Sequence, residues 1–137
     1  MIAVPPPCTL PAAHEAAAAI VRKWGYQGVD AVKCGDVTGD GKPELTVTFA
    51  SGGTAGDTGW AIFTAVGSRW KALFVQPHAY KVGLYLQGGD VIEVQPIYRK
   101  NDPNCCPTGG FEHRRHHWNG TRFVIAKTWL TKKFEAP

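Results

Sequence analysis

The chain is 137 residues long and 44% hydrophobic, which suffices for one folded core but not for two ordinary domains. Its formal net charge is +4, and the excess of cations lies near the C-terminus, because residues 99–137 carry eight Lys or Arg against three Asp or Glu. No apolar run approaches the roughly twenty residues that cross a bilayer, so we expect no transmembrane segment.

The N-terminus is predicted to be an extended segment, residues 1–8, because three consecutive prolines at 5–7 form a stiff, extended chain. It lacks the basic start and hydrophobic middle of a signal peptide, so we expect that an export signal or lipid leader preceded Met1 and was removed. Residues 9–137 are predicted to form a single α+β domain.

A helix is predicted at the start of this domain. Thr9 can cap it, Pro11 suits its first turn and Gly25 stops it. Between these residues, apolar side chains recur at spacings of three and four: Ala13, Ala16, Ala17, Ile20, Val21 and Trp24. We expect this one helix to pack on a curved, mostly antiparallel sheet of about seven or eight strands that is stapled by disulfides.

Short strands separated by turn residues are predicted for the rest of the chain. Residues 44–49 alternate between polar and apolar, which predicts a strand with a buried face and a wet face, the latter formed by Glu44, Thr46 and Thr48. Gly-containing pairs at 67–68 and 88–89 predict two hairpins. A third hairpin is predicted around Asn119-Gly120, the preferred type I′ turn, which would place Trp118 opposite Thr121.

One face of the third hairpin is predicted to collect cationic side chains, and these are His113, Arg115, His117 and Arg122. A positive patch attracts acidic protein and anionic glycan alike, because Coulomb attraction distinguishes such partners poorly. Ordinary solvated surface is the favoured interpretation of this charge, and contact with a partner through the basic hairpin is the alternative.

The segment 36–44 is a candidate calcium loop. It places oxygen donors at alternate positions, namely Asp36, Thr38, Asp40, the Lys42 carbonyl and Glu44. The segment is similar to the short calcium loops between strands of β-propeller repeats, although Thr38 stands where those loops carry Asp or Asn. The alternative is an Asx-type turn in which the same side chains bind only the backbone. Ca²⁺ is therefore the one cofactor that the sequence suggests.

Four cysteines in a short chain are typical of a disulfide framework and of an oxidising compartment outside the cytoplasm. We expect Cys105 and Cys106 each to bond one of Cys8 and Cys34, because a direct bond between neighbours closes a small, strained ring. The alternative is a bond between Cys8 and Cys34, since a helix running out and a segment running back could bring them together.

Five short motifs follow one another along the chain in an order that is similar to that of a known protein family. They are Cys34-Gly35-Asp36, residues 38–41, Tyr98-Arg99, residues 102–110 with Cys-Cys-Pro-Thr-Gly-Gly, and residues 118–123. In this order the chain resembles actinobacterial envelope proteins of the LppP/LprE lipoprotein type, over most of the domain after the helix. The resemblance implies export and residence at the cell surface or outside the cell, and it implies no established activity. Because no lipobox precedes Cys8, release into the medium is an equal expectation.

Catalysis is not indicated by any motif. Ser51 and Ser68 lie in Gly-containing turns outside a Gly-x-Ser-x-Gly elbow, and no nucleophile, base and orienting group occur together. We therefore expect a non-enzymatic exported binding module, an adaptor or protein-recognition subunit whose partner is another exported protein. The alternatives are binding of an anionic envelope glycan or polymer and hydrolysis of envelope material. No nucleic-acid partner is expected.

Overall fold

The computed structural model describes residues 4–133, which form two short helices and eight strands. The helices are α1 (Leu10–Ala16) and α2 (Ala18–Trp24). The N-terminal sheet contains β1 (Gly28–Gly35), β2 (Glu44–Ala50), β3 (Asp57–Val66) and β4 (Arg69–Gln76). The C-terminal sheet contains β5 (Gly83–Gln87), β6 (Asp90–Pro96), β7 (Phe111–Trp118) and β8 (Phe123–Thr131).

Both sheets are antiparallel, with the strands in chain order. The predicted α+β class and antiparallel pairing are confirmed, whereas two four-stranded sheets replace the single curved sheet. Of the predicted extended segment 1–8, residues 4–8 carry no helix or strand, and residues 1–3 lie outside the described part of the chain.

The predicted helix has the expected ends and is interrupted in the middle. Thr9 caps α1 by accepting the Ala12 amide at 3.3 Å, and Gly25 ends α2 in the left-handed conformation. Ala17 separates the two helices, yet its amide donates to the Ala13 carbonyl at 2.9 Å. Helical hydrogen bonding therefore continues through the interruption, and the fully buried Ala13 and Ala17 allow close packing on the sheet.

Strand β2 is buried on both faces. Its apolar side chains pack beneath the helices in one core, and these are Leu45, Val47 and Phe49. Its polar side chains are equally buried, and these are Glu44, Thr46 and Thr48. The predicted wet face is wrong because the C-terminal sheet covers it. Alternation in β2 thus separates two buried environments rather than core from solvent.

The two sheets stack face to face around a second core. Trp60 and Ile62 of β3 pack there with Leu84 and Val91 of the C-terminal sheet. Trp60 is fully buried and supplies the largest side chain of this core. Burial of such aromatic and aliphatic area is the main force that holds one sheet on the other.

The strand edges meet in two pairs at the sides of this stack. On one side β1 approaches β5 closely, because a Cβ added to Gly35 would lie 2.6 Å from Leu86 Cδ1. On the other side the ring of Phe74 in β4 lies 6.1 Å from the ring of Phe123 in β8. The outer edges of β4 and β8 therefore lie on the same side of the stack.

The turns at 67–68 and 88–89 are confirmed, since the residues that flank each turn are paired. Gly67, Gly88 and Gly89 all have positive φ, which only glycine adopts without strain. The local chemistry of these two turns was therefore sufficient to predict both hairpins.

The third hairpin has a longer connection than predicted. Trp118 lies opposite Phe123 rather than Thr121. The Asn119 side chain accepts the amides of Thr121 and Arg122, each at 2.9 Å, so it replaces a backbone acceptor inside the turn. The predicted type I′ register is wrong for that reason.

All four cysteines are disulfide-bonded, in the alternative pairing and not in the preferred one. Cys8 bonds Cys34, and Cys105 bonds Cys106. The predicted links between the two groups are wrong because Cys105 and Cys106 lie in the loop between β6 and β7. Cys8 and Cys34 meet instead at β1 of the N-terminal sheet. The Cys8–Cys34 bridge ties the N-terminal segment to that strand.

Removing the Cys8–Cys34 bridge should destabilise the fold. Its partners are separated by 26 residues, so Cys8→Ser with Cys34→Ser should lower the free energy of unfolding by about 3 kcal/mol through lost loop closure. Cys105→Ser with Cys106→Ser is the matched control. It closes no loop of chain and should cost less than about 1 kcal/mol. Urea unfolding of both variants measures the difference, and equal losses would contradict the assignment.

Candidate functional site

The predicted calcium loop joins β1 to β2, and its side-chain carboxylates accept hydrogen bonds from its own backbone amides. Asp36 Oδ1 accepts the amides of Thr38 at 3.2 Å and Gly39 at 2.8 Å, and Oδ2 accepts the Gly41 amide at 2.8 Å. These hydrogen bonds, that of Gly41 most of all, lower the pKa of Asp36 below its ordinary value. Asp36 therefore stabilises the turn as a carboxylate, as in the Asx-type alternative.

Glu44 closes the loop from beneath and is fully buried. Its Oε1 accepts the amides of Val37 at 2.8 Å and Thr38 at 3.1 Å, and its Oε2 accepts the Thr64 hydroxyl at 3.1 Å. Burial raises the pKa of Glu44 in spite of these hydrogen bonds. A cation near this carboxylate would oppose that shift.

Three of the five predicted calcium ligands are brought together. Asp36, Asp40 and Glu44 each offer a carboxylate oxygen, and the three oxygens lie within 4.8 Å of one another. The Thr38 hydroxyl donates to Glu44 at 3.2 Å, and the Lys42 amide donates to Asp40 at 2.8 Å. The carboxylate spacing is compatible with one ion, and calcium binding stays a prediction.

A second pair of acids, which the sequence did not indicate, lies at irregularities in the N-terminal sheet. Asp30 occupies the register shift in β1, and Asp57 begins β3. Burial, followed by the neighbouring Asp30, raises the pKa of Asp57 to about 6. The two carboxyls therefore interact, but nothing in the surrounding structure indicates a ligand for them.

The predicted basic hairpin does not form one exposed cationic surface. His113 is 1% exposed and its ring stacks on Trp129, with ring centres 5.0 Å apart. Arg122 lies in the exposed turn and makes no ion pair with any residue of 4–133. Of the four predicted residues, Arg122 is thus the one most available to a partner.

The other two residues of the basic hairpin converge on one acid. Arg115 Nη1 lies 3.0 Å from Asp90 Oδ2, and His117 Nδ1 lies 2.7 Å from Asp90 Oδ1. Arg115 also donates to the side chain of Gln87 at 2.8 Å. These contacts hold the β5–β6 turn against β7, so much of the predicted positive charge is used within the sheet.

A buried polar cluster connects the two sheets, and it was not predicted. Glu93 of β6 lies 2.9 Å from His116 Nε2 of β7 and accepts the Trp60 indole N–H of β3 at 3.0 Å. Gln95 donates to the same carboxylate at 2.8 Å. Burial alone would raise the pKa of Glu93, but hydrogen bonds from His116 and Trp60 lower it below its ordinary value. The cluster is closed to solvent and serves as a structural joint.

The loop between β6 and β7 exposes Cys105 and Cys106 and is anchored at the preceding residue, Asn104. Lys81 Nζ contacts the Asn104 carbonyl and lies 2.8 Å from the Tyr98 hydroxyl, which itself donates to that carbonyl at 2.6 Å. The Tyr80 hydroxyl bonds the Asn104 side chain. Both cysteines are exposed. The disulfide is therefore presented at the surface by an anchored loop.

Three open clefts lie on the described surface. Ser51 and His78 both line one of them, but no hydrogen bond joins these two side chains, and Ser51 Oγ accepts the Gly53 amide at 3.2 Å instead. One of about 520 Å³ lies between the N-terminal segment, α1 and β4, beside Trp70. One of about 280 Å³ lies beside Trp24 and His78. One of about 540 Å³ lies at the C-terminal end of β8 between Arg99 and Lys132.

Strand β8 forms an outer edge of the C-terminal sheet and is largely exposed. It is nine residues long, and its apolar side chains Ile125 and Leu130 are 54% and 64% exposed. A register shift leaves Ala126 unpaired, and Lys127 follows it. A bulge and a lysine make an edge strand less able to pair with another chain. The residues on either side of the bulge, 123–125 and 128–131, remain in regular strand pairing with β7 and include Ile125 and Leu130.

No family model, curated protein or solved structure matches this chain. Within residues 4–133, no helix combines the length and the apolar character that crossing a membrane requires.

Removing the Glu93 side chain should destabilise the fold strongly. Glu93→Ala leaves buried His116 and the Trp60 indole without their partner, so the free energy of unfolding should fall by about 3 to 5 kcal/mol. Glu112→Ala is the matched control, because it breaks the partly exposed ion pair with Arg114 and should cost about 1 kcal/mol or less. Urea unfolding compares the two variants. Equal losses of free energy of unfolding would contradict the proposed role of Glu93 in holding the two sheets together.

Calcium binding is tested by titration calorimetry and thermal unfolding. If the loop binds Ca²⁺, the wild type should release or absorb heat on addition and its Tm should rise, because the ion binds only the folded chain. Asp40→Ala, at an exposed position, should abolish both signals. Absence of heat and of a Tm shift in the wild type would dispose of the calcium prediction.

Proposed function

We propose that this protein is a non-enzymatic, exported protein-recognition module that binds an extended, acidic segment of another exported protein along β8. The observation that carries the proposal is the open β8 edge, where unpaired backbone groups lie beside exposed Ile125 and Leu130. An extended segment added to such an edge gains main-chain hydrogen bonds, and neighbouring side chains supply specificity.

The other three edges are less suited to strand addition. The edge of β1 carries Cys34, which is bonded to Cys8, and an irregularity at Asp30. Strand β5 is only five residues long and lies beside β1. The edge of β4 carries Trp70, whose indole N–H donates to the Pro7 carbonyl at 3.0 Å, so the N-terminal segment lies against it. These features leave β8 as the accessible long edge.

The charge along β8 supports an acidic partner. Residues 121–133 contain four Lys or Arg and no Asp or Glu. Arg122 and Lys127 are exposed and make no ion pair within the part of the chain that the structure describes. Complementary acids on the partner would speed encounter and reject basic segments.

Export and a non-catalytic role form part of the proposal. Both disulfides suit an oxidising compartment outside the cytoplasm, and the resemblance to envelope lipoproteins supports residence there. The buried histidines and glutamate are committed to packing and to the joint between the sheets. Binding of an anionic envelope polymer is the rival, and it would need the positive charge of β8 but not its open edge.

Partner capture with matched variants tests the edge. Ile125→Glu places a negative charge at the middle of β8, whereas Val66→Glu makes the same change at a similarly exposed site, 57% against 54%, on the other sheet. The wild type and Val66→Glu should retain a stoichiometric companion from the exported fraction of the producing cells. Ile125→Glu should lose at least tenfold in affinity, about 1.4 kcal/mol.

Two controls complete the capture experiment. Both variants should unfold within about 0.5 kcal/mol of the wild type, because both positions are exposed. Equal retention of the companion by Ile125→Glu and the wild type would overturn the proposed edge. Capture of an anionic polymer that both variants bind equally well would favour the rival.

A further inference from the structure

A cleft lies at the C-terminal end of β8, and residues 107–110 form one of its walls. It occupies about 540 Å³, and its lining includes Arg99, Pro107, Thr108, Leu130, Thr131 and Lys132. The segment that forms its wall, residues 107–110, directly follows the displayed Cys105-Cys106 disulfide. The cleft therefore joins the open edge to the most distinctive sequence motif of the chain.

Two glycines, Gly109 and Gly110, allow this wall to pack closely against the sheet. A Cβ added to Gly109 would lie 2.5 Å from Ile97 Cγ2, and one added to Gly110 would lie 2.5 Å from the Thr131 carbonyl oxygen. The Gly109 amide donates to the Ile97 carbonyl at 2.9 Å, and the Ile97 amide donates to the Gly110 carbonyl at 2.8 Å. The wall is consequently held in one position relative to the end of β8.

The cleft is cationic. Arg99 and Lys132 line it, and neither makes an ion pair with a carboxylate in residues 4–133. The acid close to Arg99 is Asp102, whose carboxylate accepts the Arg99 amide at 2.7 Å and the Thr108 amide at 2.8 Å. The Arg99 amide hydrogen bond and, less strongly, the positive charge of Arg99 hold the pKa of Asp102 below its ordinary value. The Arg99 guanidinium nevertheless forms no ion pair with Asp102, so it remains available to an anion, as does Lys132.

We propose that this cleft receives the free C-terminal carboxylate of the segment that pairs with β8. This inference rests on the proposed function, because it fixes which end of the added segment reaches the cleft. The cleft lies where β8 ends, so a segment parallel to β8 places its C-terminus there. An antiparallel segment would place its N-terminal ammonium beside Arg99 and Lys132, where like charges repel.

The lining also distinguishes a peptide terminus from a polyanion. Leu130 is 64% exposed and lies in the same cleft as Lys132. A C-terminal residue offers an apolar side chain and a carboxylate together, which suits both groups. A phosphate or glycan polyanion would contact the cations and gain nothing from the leucine.

Selection from two peptide libraries tests this inference. Random eight-residue peptides are displayed either with a free C-terminus or followed by a fixed Gly-Ser tail. Both libraries are then selected for binding to the full chain. Binders should be enriched from the first library, and amidation of their C-terminus should weaken binding about tenfold, the loss expected for one charge-assisted contact. Enrichment of equally tight binders from both libraries would overturn the inference.

Charge variants assign the effect to the cleft. Arg99→Ala with Lys132→Ala should weaken the selected peptides about tenfold and remove the difference between free and amidated forms. Lys100→Ala with Lys133→Ala is the control, because it removes the same charge from neighbouring exposed residues that do not line the cleft. Equal weakening by both pairs, together with displacement by long-chain polyphosphate, would show a general polyanion surface and overturn the inference.

Failure of the inference is separable from failure of the proposed function. Peptides that lose binding with Ile125→Glu but are unaffected by amidation and by Arg99→Ala with Lys132→Ala would leave the β8 edge in place and remove the carboxylate site. Peptides that Ile125→Glu does not affect, or no enrichment from either library, would remove both.

Discussion

The buried carboxylate of Glu93 is the interaction on which the relative placement of the two sheets depends. It accepts the Trp60 indole N–H from the N-terminal sheet and lies against His116 within its own sheet. A carboxylate that is 1% exposed is costly unless these partners are present, so any placement of the sheets that separates Trp60 from Glu93 is disfavoured. The observed placement brings the start of β8 against the N-terminal sheet at Phe123, while Ile125 and Leu130 remain exposed.

The edge and the cleft form one continuous surface. Strand β8 ends at the wall of residues 107–110, and the loop that carries this wall is anchored through Asn104 to Lys81 and Tyr98. The Cys-Cys-Pro-Thr-Gly-Gly motif thus has a physical role in this fold. Its glycines permit close packing on the sheet, and its displayed disulfide precedes the wall of the cleft.

Local chemistry was enough to predict the helix ends, a total of about seven or eight antiparallel strands and the turns at 67–68 and 88–89, because each depends on residues close in sequence. The division into two sheets was not predictable in this way. Alternation in β2 indicates which side chains are polar but not what packs against each face, so it predicts solvent exposure for Glu44, which is buried. The cysteine count predicted disulfides, but pairing depends on distance in space. The basic hairpin failed as one surface because Asp90, distant in sequence, binds Arg115 and His117.

Amide hydrogen exchange of the protein with and without a bound partner segment tests the central claim, that β8 is the recognition edge, most directly. Slower exchange should be confined to 123–131 and to the wall at 107–110, since those backbone groups would gain hydrogen bonds or lose solvent. The edges of β1 and β4 should exchange unchanged. Protection concentrated on β1, β4 or the helices, with β8 unaffected, would contradict the account.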